Sequence, residues 1–194
     1  MRQWARAVAM VASISAGTDA LPEQRGLVPL VPWKVLQPEQ VLHAPLVLFW
    51  VPASPETMRR STMLTSHKLT LFSARCVAMR VVRFDDGARL AKLNVEAELP
   101  VAVLADADGR VLGMVESSYG RLSVIEVEEL VQNALDDRES QAETLLDEAR
   151  SLAARGDVDG ALELYEKVAE ARCLCPRQAK AAQRALRRLE RERR

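Results

Sequence analysis

Two hydroxyl side chains, Ser54 and Thr57, lie three residues apart where an apolar run changes into a helix-like segment. A serine at this place is a good helix N-cap, because its oxygen accepts hydrogen bonds from backbone N–H groups that have no partner within the helix. It could act as a nucleophile only beside a base. The two histidines, His43 and His67, are not expected to lie near it. We therefore interpret Ser54 as a cap.

The three cysteines, Cys76, Cys173 and Cys175, are too few for a disulfide scaffold. Cys76 begins a β-branched run and is interpreted as a buried structural cysteine. Cys173 and Cys175 precede Pro176 between two predicted helices. Three hypotheses stay open for this pair: packing at a helix end, a redox or disulfide role, and part of a metal site.

Neither a metal nor a cofactor is predicted. A complete zinc site needs about four ligands, and no cluster of Cys or His supplies those that the two C-terminal cysteines lack. The segment Asp106-Ala-Asp-Gly109 begins like a calcium loop, but the required downstream ligands are missing, so it is interpreted as a hairpin turn.

Charge and hydropathy exclude several classes of partner. The formal net charge is zero, which implies no overall attraction to nucleic acid or to a membrane surface. The basic segment RALRRLERERR (184–194) carries interspersed glutamates and lacks aromatic residues for base stacking, so it is interpreted as a solvated helix face. No apolar run is long enough to span a bilayer, and no membrane insertion is predicted.

Hydrophobic periodicity predicts the elements that position these residues. Strands are predicted at 46–51, 77–84, 101–105 and 110–115, and helices at 37–42, from 54 into the low seventies, at 88–93 and from 123 onward. This order predicts an α/β fold in which helices flank a mixed sheet.

After residue 137 the pattern becomes helical only. Ser140 to Glu143 is a capping box and predicts the start of a helix. Residues 155–157 form a turn, a second helix repeats the same apolar stripe, and Pro176 begins a third. An α-helical hairpin with a capping helix is therefore predicted.

We divide the chain into a tail or linker at 1–32, an α/β domain at 33–137 and a helical module at 138–194. Residues 1–20 could be an export signal, with a basic start, a short apolar stretch and a small-x-small site. The stretch lacks leucine and contains serines, so we favour a cytoplasmic protein over a periplasmic or exported one.

The α/β domain resembles the thioredoxin family. The segments HAPLVLFWVPASPETM (43–58) and LPVAVLADADGRVLGMVE (99–116) carry the resemblance. It implies that Pro100 is a cis-proline, that Trp50, Leu99 and Pro100 belong to a peptide groove, and that Ser54 and Thr57 stand where the family has its two redox cysteines.

The C-terminal module resembles a tetratricopeptide repeat. Within EARSLAARGDVDGALELYEKV (148–168), Ala149, Gly156, Ala161 and Tyr165 match the small, turn and aromatic positions of that family. The whole chain is similar to bacterial thioredoxin-like proteins with a C-terminal tetratricopeptide region. Some of these have lost motif cysteines and act as binding or chaperone-like proteins.

The resemblance implies a non-catalytic protein that binds proteins or peptides, either as a chaperone-like factor or as an adaptor for one partner. The alternative is a thiol-disulfide oxidoreductase that uses Cys173 and Cys175. Neither the partner nor the oligomeric state follows from the sequence.

Overall fold

The computed structural model describes residues 30–37, 40, 42, 44–96 and 98–193. Within these ranges, five strands form one mixed sheet and six α-helices accompany it. The strands are β1 (Lys34–Val35), β2 (Leu46–Val51), β3 (Val77–Val81), β4 (Val101–Asp106) and β5 (Val111–Val115). The helices are α1 (Pro55–Arg59), α2 (His67–Ala74), α3 (Gly87–Lys92), α4 (Val124–Ala154), α5 (Val158–Glu170) and α6 (Pro176–Glu192), with a 3-10 turn at Thr62–Leu64. The possible signal at 1–20 and His43 lie outside the described residues.

The sheet has the strand order β1-β3-β2-β4-β5, which confirms a mixed α/β architecture. β2 runs parallel to β3 and antiparallel to β4, so Trp50 pairs with Val81 on one side and Ala102 on the other. β5 is antiparallel to β4. The ends of β2, β3 and β5 and the start of β4 therefore share one edge of the sheet.

The central strand β2 is buried on both faces, as its continuous apolar sequence predicts. Leu46, Leu48 and Trp50 pack in a cluster with side chains of α2 and α4, whereas Val47, Phe49 and Val51 pack in a cluster on the face that α3 covers. Each such side chain stabilises the fold by about 1.5–3 kcal/mol when it leaves water.

The segment after β2 is not one helix into the low seventies, as the sequence predicts, but two helices separated by a 3-10 turn. Two serines cause the breaks, because each caps a new N-terminus. Ser61 accepts a hydrogen bond from the backbone of Met63, and Ser66 accepts one from Leu69. Hydroxyl side chains that compete with the helical backbone thus divide the segment.

Three N-terminal expectations differ from the structure. The helix predicted at 37–42 is absent at Gln37, Gln40 and Leu42, and the other three positions lie outside the described residues. The two-residue strand β1 was not predicted because it is too short to show periodicity. Val31, which was assigned to the linker, is buried in the core, and its backbone N–H donates a hydrogen bond to Leu64 O.

Strand β3 is shorter than predicted, since it ends at Val81 and not at residue 84.

Helix α4 is continuous over 31 residues, so the prediction that Ser140 begins a new helix is wrong. Ser123 caps this helix by accepting a hydrogen bond from Glu126 N. The predicted boundary at 137/138 lies inside α4 because one buried stripe continues through it, and helix packing outweighs a local capping signal. The buried stripe consists of Val127, Val131, Leu135, Ala142, Leu146 and Ala149.

The three C-terminal helices pack in succession, and their buried residues join the cluster that contains Trp50. Gly156 adopts a φ of 85° in the predicted turn between α4 and α5, a conformation that glycine adopts without a steric penalty. At β5, Gly113 permits a close approach of α4, since a Cβ there would lie 2.5 Å from Leu130 Cδ1.

Candidate functional site

The predicted site residues at 54–57 and 99–100 lie at the same edge of the sheet. Val51, the last residue of β2, pairs with Val101, the first residue of β4, so the segments that follow and precede them are neighbours. The Leu99–Pro100 peptide bond is cis, as the resemblance implies. Pro100 is buried and Leu99 is partly exposed. The edge therefore presents the start of α1 beside the loop before β4.

Ser54 and Thr57 form a reciprocal capping box at the start of α1, which confirms the prediction that Ser54 is a cap. Thr57 N donates to Ser54 Oγ at 3.2 Å, and Ser54 N donates to Thr57 Oγ1 at 2.9 Å. The Thr57 hydroxyl in turn donates to Ser54 O at 2.8 Å. Among the described residues the two hydroxyls hydrogen-bond only each other and the backbone of the turn, so these bonds hold the turn.

Trp50 does not line an open groove, contrary to its predicted place beside Pro100. Its side chain is 1% exposed. The ring packs against Trp33 with centroids 5.3 Å apart and an interplanar angle of 57°. Trp33 Nε1 donates to Met63 O at 2.8 Å, whereas Trp50 Nε1 has no partner among the described residues. Trp50 is therefore a core residue that packs beneath this edge of the sheet.

A turn that the sequence analysis did not single out projects from the same edge. Ser118 and Arg121 form an isolated bridge, and between them Tyr119 and Gly120 both adopt positive φ. Tyr119 is fully exposed. Ser117 Oγ donates to the backbone oxygen of Glu98 at 3.2 Å, which links this turn to the loop before Pro100. The signal in the sequence was the Tyr-Gly pair that directly follows two serines.

The structure joins one of the two C-terminal cysteines to Cys76, a partner that none of the three hypotheses named. Cys173 forms a disulfide with Cys76 rather than acting with Cys175 as a pair, and the Cα atoms of the bonded residues are 5.8 Å apart. Cys76 is therefore not a free buried thiol. Cys175 is free and 1% exposed. Burial raises the pKa of the Cys175 thiol, and the negative charge of Glu139 raises it further against the opposing effect of Arg75 and Arg138.

An arginine beside the disulfide joins three elements. Arg75 Nη2 donates to Glu139 of α4 and to the backbone oxygen of Leu174 in the connection between α5 and α6. Arg75 Nε is buried without a partner among the described residues. No sequence signal predicts this cluster, because its members are far apart along the chain.

The hairpin turn between β4 and β5 is held by Asp106, as predicted. Asp106 Oδ1 accepts hydrogen bonds from Asp108 N at 3.1 Å and from Arg110 N at 2.9 Å. Burial opposes its ionisation, but these backbone donors and the charges of Arg110 and Arg138 outweigh burial and lower the Asp106 pKa. Its oxygens are thus used within the turn.

No group of three or more His, Cys, Asp and Glu side chains that could hold a metal ion occurs within the described ranges. Within the same ranges, none of the helices has the length and apolar composition that crossing a membrane requires.

A scan against models of protein families gave no match, and a search of curated proteins also found none.

Proposed function

We propose that this chain is a redox-inactive thioredoxin-like protein that binds extended segments of other proteins, with a tetratricopeptide-like module at its C-terminus. The observation that carries the proposal is the capping box of Ser54 and Thr57 at the sheet edge shared with Pro100. Hydroxyl groups stand at the positions where the thioredoxin family has its redox cysteines, and these hydroxyls form hydrogen bonds with the backbone.

The topology supports the thioredoxin-like assignment. The helix that starts shortly after β2 and the cis bond before Pro100 are features that the resemblance implies, and the mixed sheet flanked by helices agrees with it. A fold by itself does not fix a function, so the chemistry at the edge decides between the hypotheses.

The helical packing supports the tetratricopeptide-like assignment. Ala149, Ala161 and Tyr165, three of the matched positions, are buried, and Gly156 is in the turn between α4 and α5. One helical pair with a capping helix is fewer than the three or more repeats that usually stack for stability. The shared core with the sheet supplies the burial that further repeats would give.

Binding is favoured over catalysis because this sheet edge keeps a loop beside the helix start and lacks a thiol there. A disulfide reductase needs a thiolate at the helix start, and an alcohol does not ionise appreciably near neutral pH or form a disulfide. Beside the start of α1, the loop before β4 keeps Glu98 exposed and Leu99 partly exposed, and an extended segment could add hydrogen bonds to such a loop while its side chains contact the surrounding surface.

The oxidoreductase alternative is not supported by a specific observation. It requires Cys173 and Cys175 as a working pair, whereas Cys173 is bonded to Cys76 and Cys175 is buried. Reactive cysteines of such enzymes are partly exposed and have depressed pKa values, and the Cys175 pKa is raised.

Hydrogen exchange with a reduced, unfolded client protein tests the proposal. We expect the client to slow exchange in peptides that cover 52–60 and 98–103, and to leave the middle of α4 unchanged as an internal control. Absence of protection at the edge with every client tried would contradict the proposal. Capture of one stoichiometric partner, rather than many unfolded clients, would identify an adaptor.

A further inference from the structure

Among the described residues, few polar links join the connection between α5 and α6 to the rest of the chain. We name residues 171–178, which include this connection and the first turn of α6, the latch segment. One link is the disulfide from Cys173 to Cys76, and a second is the hydrogen bond from Arg75 to Leu174 O. Both links therefore come from two adjacent residues that precede β3.

A third link, from Gln178 in α6, is incomplete. Gln178 Nε2 donates to Glu143 Oε1 at 3.1 Å. Gln178 is only 6% exposed, yet its Oε1 has no hydrogen-bond partner within the described part of the chain. A buried acceptor without a donor opposes folding, because it has lost its bonds to water. Opening of the latch segment would return this atom to solvent.

The start of α6 also lacks the local stabilisation of the other helices. Its N-cap residue is Cys175, whose side chain makes no capping hydrogen bond to the residues described. Each of the other five α-helices begins at a serine or aspartate that accepts such a bond. Arg75 Nε is likewise buried without a partner in the described ranges. The docked arrangement is thus held against several unfavourable local terms.

The sheet side of the disulfide has an unfavourable backbone conformation. Cys76 adopts a φ of 59°, in the left-handed region that residues other than glycine rarely occupy. Such a conformation persists when surrounding contacts hold it. Both bonded cysteines are partly exposed, so the bond lies near the surface, where a small thiol can approach it.

We propose that the Cys76–Cys173 disulfide is a redox-controlled latch. The bond keeps the latch segment docked, and its reduction lets this segment open while the sheet stays folded. Opening exposes Leu174 and the Cys175 thiol, which are 7% and 1% exposed when the segment is docked.

Reduction of the latch needs two electrons, which a small thiol such as glutathione supplies. A glutathione thiolate attacks the sulfur of Cys173 and forms a mixed disulfide, while the bond to Cys76 breaks and the Cys76 thiolate takes up a proton. A second glutathione thiolate attacks the glutathione sulfur of the mixed disulfide. Cys173 leaves as a thiolate that is then protonated, and oxidised glutathione is formed. The reverse reaction closes the latch.

The position of the latch separates it from the proposed client surface. Val77, directly after Cys76, pairs with Leu46, the first residue of β2, whereas α1 follows the last residue of β2. The latch therefore lies at the opposite end of the sheet and acts independently of the client surface. The apolar cluster that contains Val47 and Phe49 includes no residue of the latch segment, so the sheet keeps this cluster when the segment opens.

Alkylation of Cys175 tests the opening. Cys175 is the free thiol both in the oxidised protein and in a Cys76→Ser/Cys173→Ser variant, so one group reports on both states. We expect iodoacetamide to label the native variant on the order of tenfold faster or more, as followed by mass spectrometry. Equal labelling rates would overturn the proposal.

Val103→Ala is the matched control, because Val103 is buried in β4 within the cluster on the face that α3 covers. This substitution destabilises the fold without touching the latch segment. We expect its Cys175 to be labelled like that of the unchanged oxidised protein. Labelling as fast as in the double variant would show that Cys175 reacts through global unfolding, which contradicts a latch.

Hydrogen exchange separates local opening from loss of the whole fold. In the double variant and in the reduced unchanged protein, exchange should rise more in peptides that cover 171–178 than in peptides that cover β2 and β4. A uniform rise, or loss of the sheet by circular dichroism, would make the disulfide a global staple and overturn the proposal.

Equilibration with mixtures of reduced and oxidised glutathione tests redox control. Structural disulfides resist reduction by glutathione, whereas regulatory ones open and re-form. We expect the Cys76–Cys173 bond to open in the most reducing mixtures and to re-form in the oxidising ones, as counted by alkylated thiols. A bond that stays closed in every mixture is permanent and excludes a switch.

Discussion

Cys76 and Cys173 are joined by a disulfide although 97 positions of sequence separate them. Cys76 precedes β3, and Cys173 lies in the connection between α5 and α6, so the bond links the sheet to the C-terminal helices. Arg75 bonds the same connection through Leu174 O. The helical module is thus attached by a covalent bond as well as by α4 and the common core.

Loss of this disulfide should destabilise the chain. A Cys76→Ser/Cys173→Ser variant is expected to lose about 2–4 kcal/mol in its free energy of unfolding, because the bond restricts a long loop in the unfolded chain. Urea denaturation measures the loss. Reductant should lower the midpoint of the unchanged protein and leave the double variant unaffected; an unchanged midpoint in the first case would refute a stabilising role.

The Cys175 thiol should be protected from alkylation in the native state. It is buried and its pKa is raised, so little thiolate is available near neutral pH. Without reductant, iodoacetamide should add nothing to the folded protein in the time that it adds one group to the urea-unfolded protein, as mass spectrometry reports. Rapid native labelling would mean that Cys175 is accessible after all.

The chain should not catalyse disulfide reduction. With dithiothreitol as electron donor, we expect insulin to be reduced no faster with the protein than without it, because neither Ser54 nor Thr57 can form a mixed disulfide. The Cys173→Ser/Cys175→Ser variant should behave in the same way. Turnover by the unchanged protein that disappears in this variant would establish the oxidoreductase alternative.

Removal of the cap at α1 should cost stability. Ser54→Ala is expected to lower the free energy of unfolding by about 1 kcal/mol, because Thr57 N loses its acceptor. Ser151→Ala, at an exposed position in the last turn of α4, is a matched control that should be neutral or slightly stabilising. Thermal or urea unfolding compares the two, and equal stability of both variants would exclude a capping role for Ser54.

Asp106 should make stability depend on pH in the acid range. Its pKa is lowered in the folded state, so its contribution is complete above the unfolded value of about 3.9 and is lost as the pH falls through the lower folded value. Asp106→Asn should cost about 1–2 kcal/mol at neutral pH and much less in strong acid.

Urea midpoints across this pH range check the Asp106 prediction. Asp108→Asn, at an exposed position of the same turn, is the control and should follow the unchanged protein. A parallel loss for both variants at every pH would show that Asp106 is not specifically coupled to folding.

Local signals in the sequence predicted much of the sheet and the start of α1. The apolar run at 46–51 predicted the buried strand β2, the Asp106 turn predicted the hairpin, and Ser54 predicted the cap. These features depend on periodicity and on hydrogen bonds between residues close in sequence. The residues that encode these features are neighbours along the chain, so they can be predicted without knowledge of distant contacts.

The predictions that failed concerned competition between local and tertiary interactions. Ser140 has the capping signal, yet α4 continues past it, because the buried stripe on both sides packs on the same core. Trp50 was expected at a groove, but Trp33 from an unpredicted segment covers it. In both cases a residue distant in sequence provides the decisive contact.

The sequence by itself determined that hydroxyl groups, and not thiols, stand at residues 54 and 57 at the start of a helix, and hence that thiol chemistry is absent from that place. Only the tertiary structure decided that Cys173 bonds Cys76, and that Ser117, after β5, donates a hydrogen bond to the backbone oxygen of Glu98 in the loop before β4. The physical reason is that chemical identity belongs to single residues. Pairing depends on the distance between residues that are far apart in sequence, and the packing of helices and strands fixes that distance after the chain has folded.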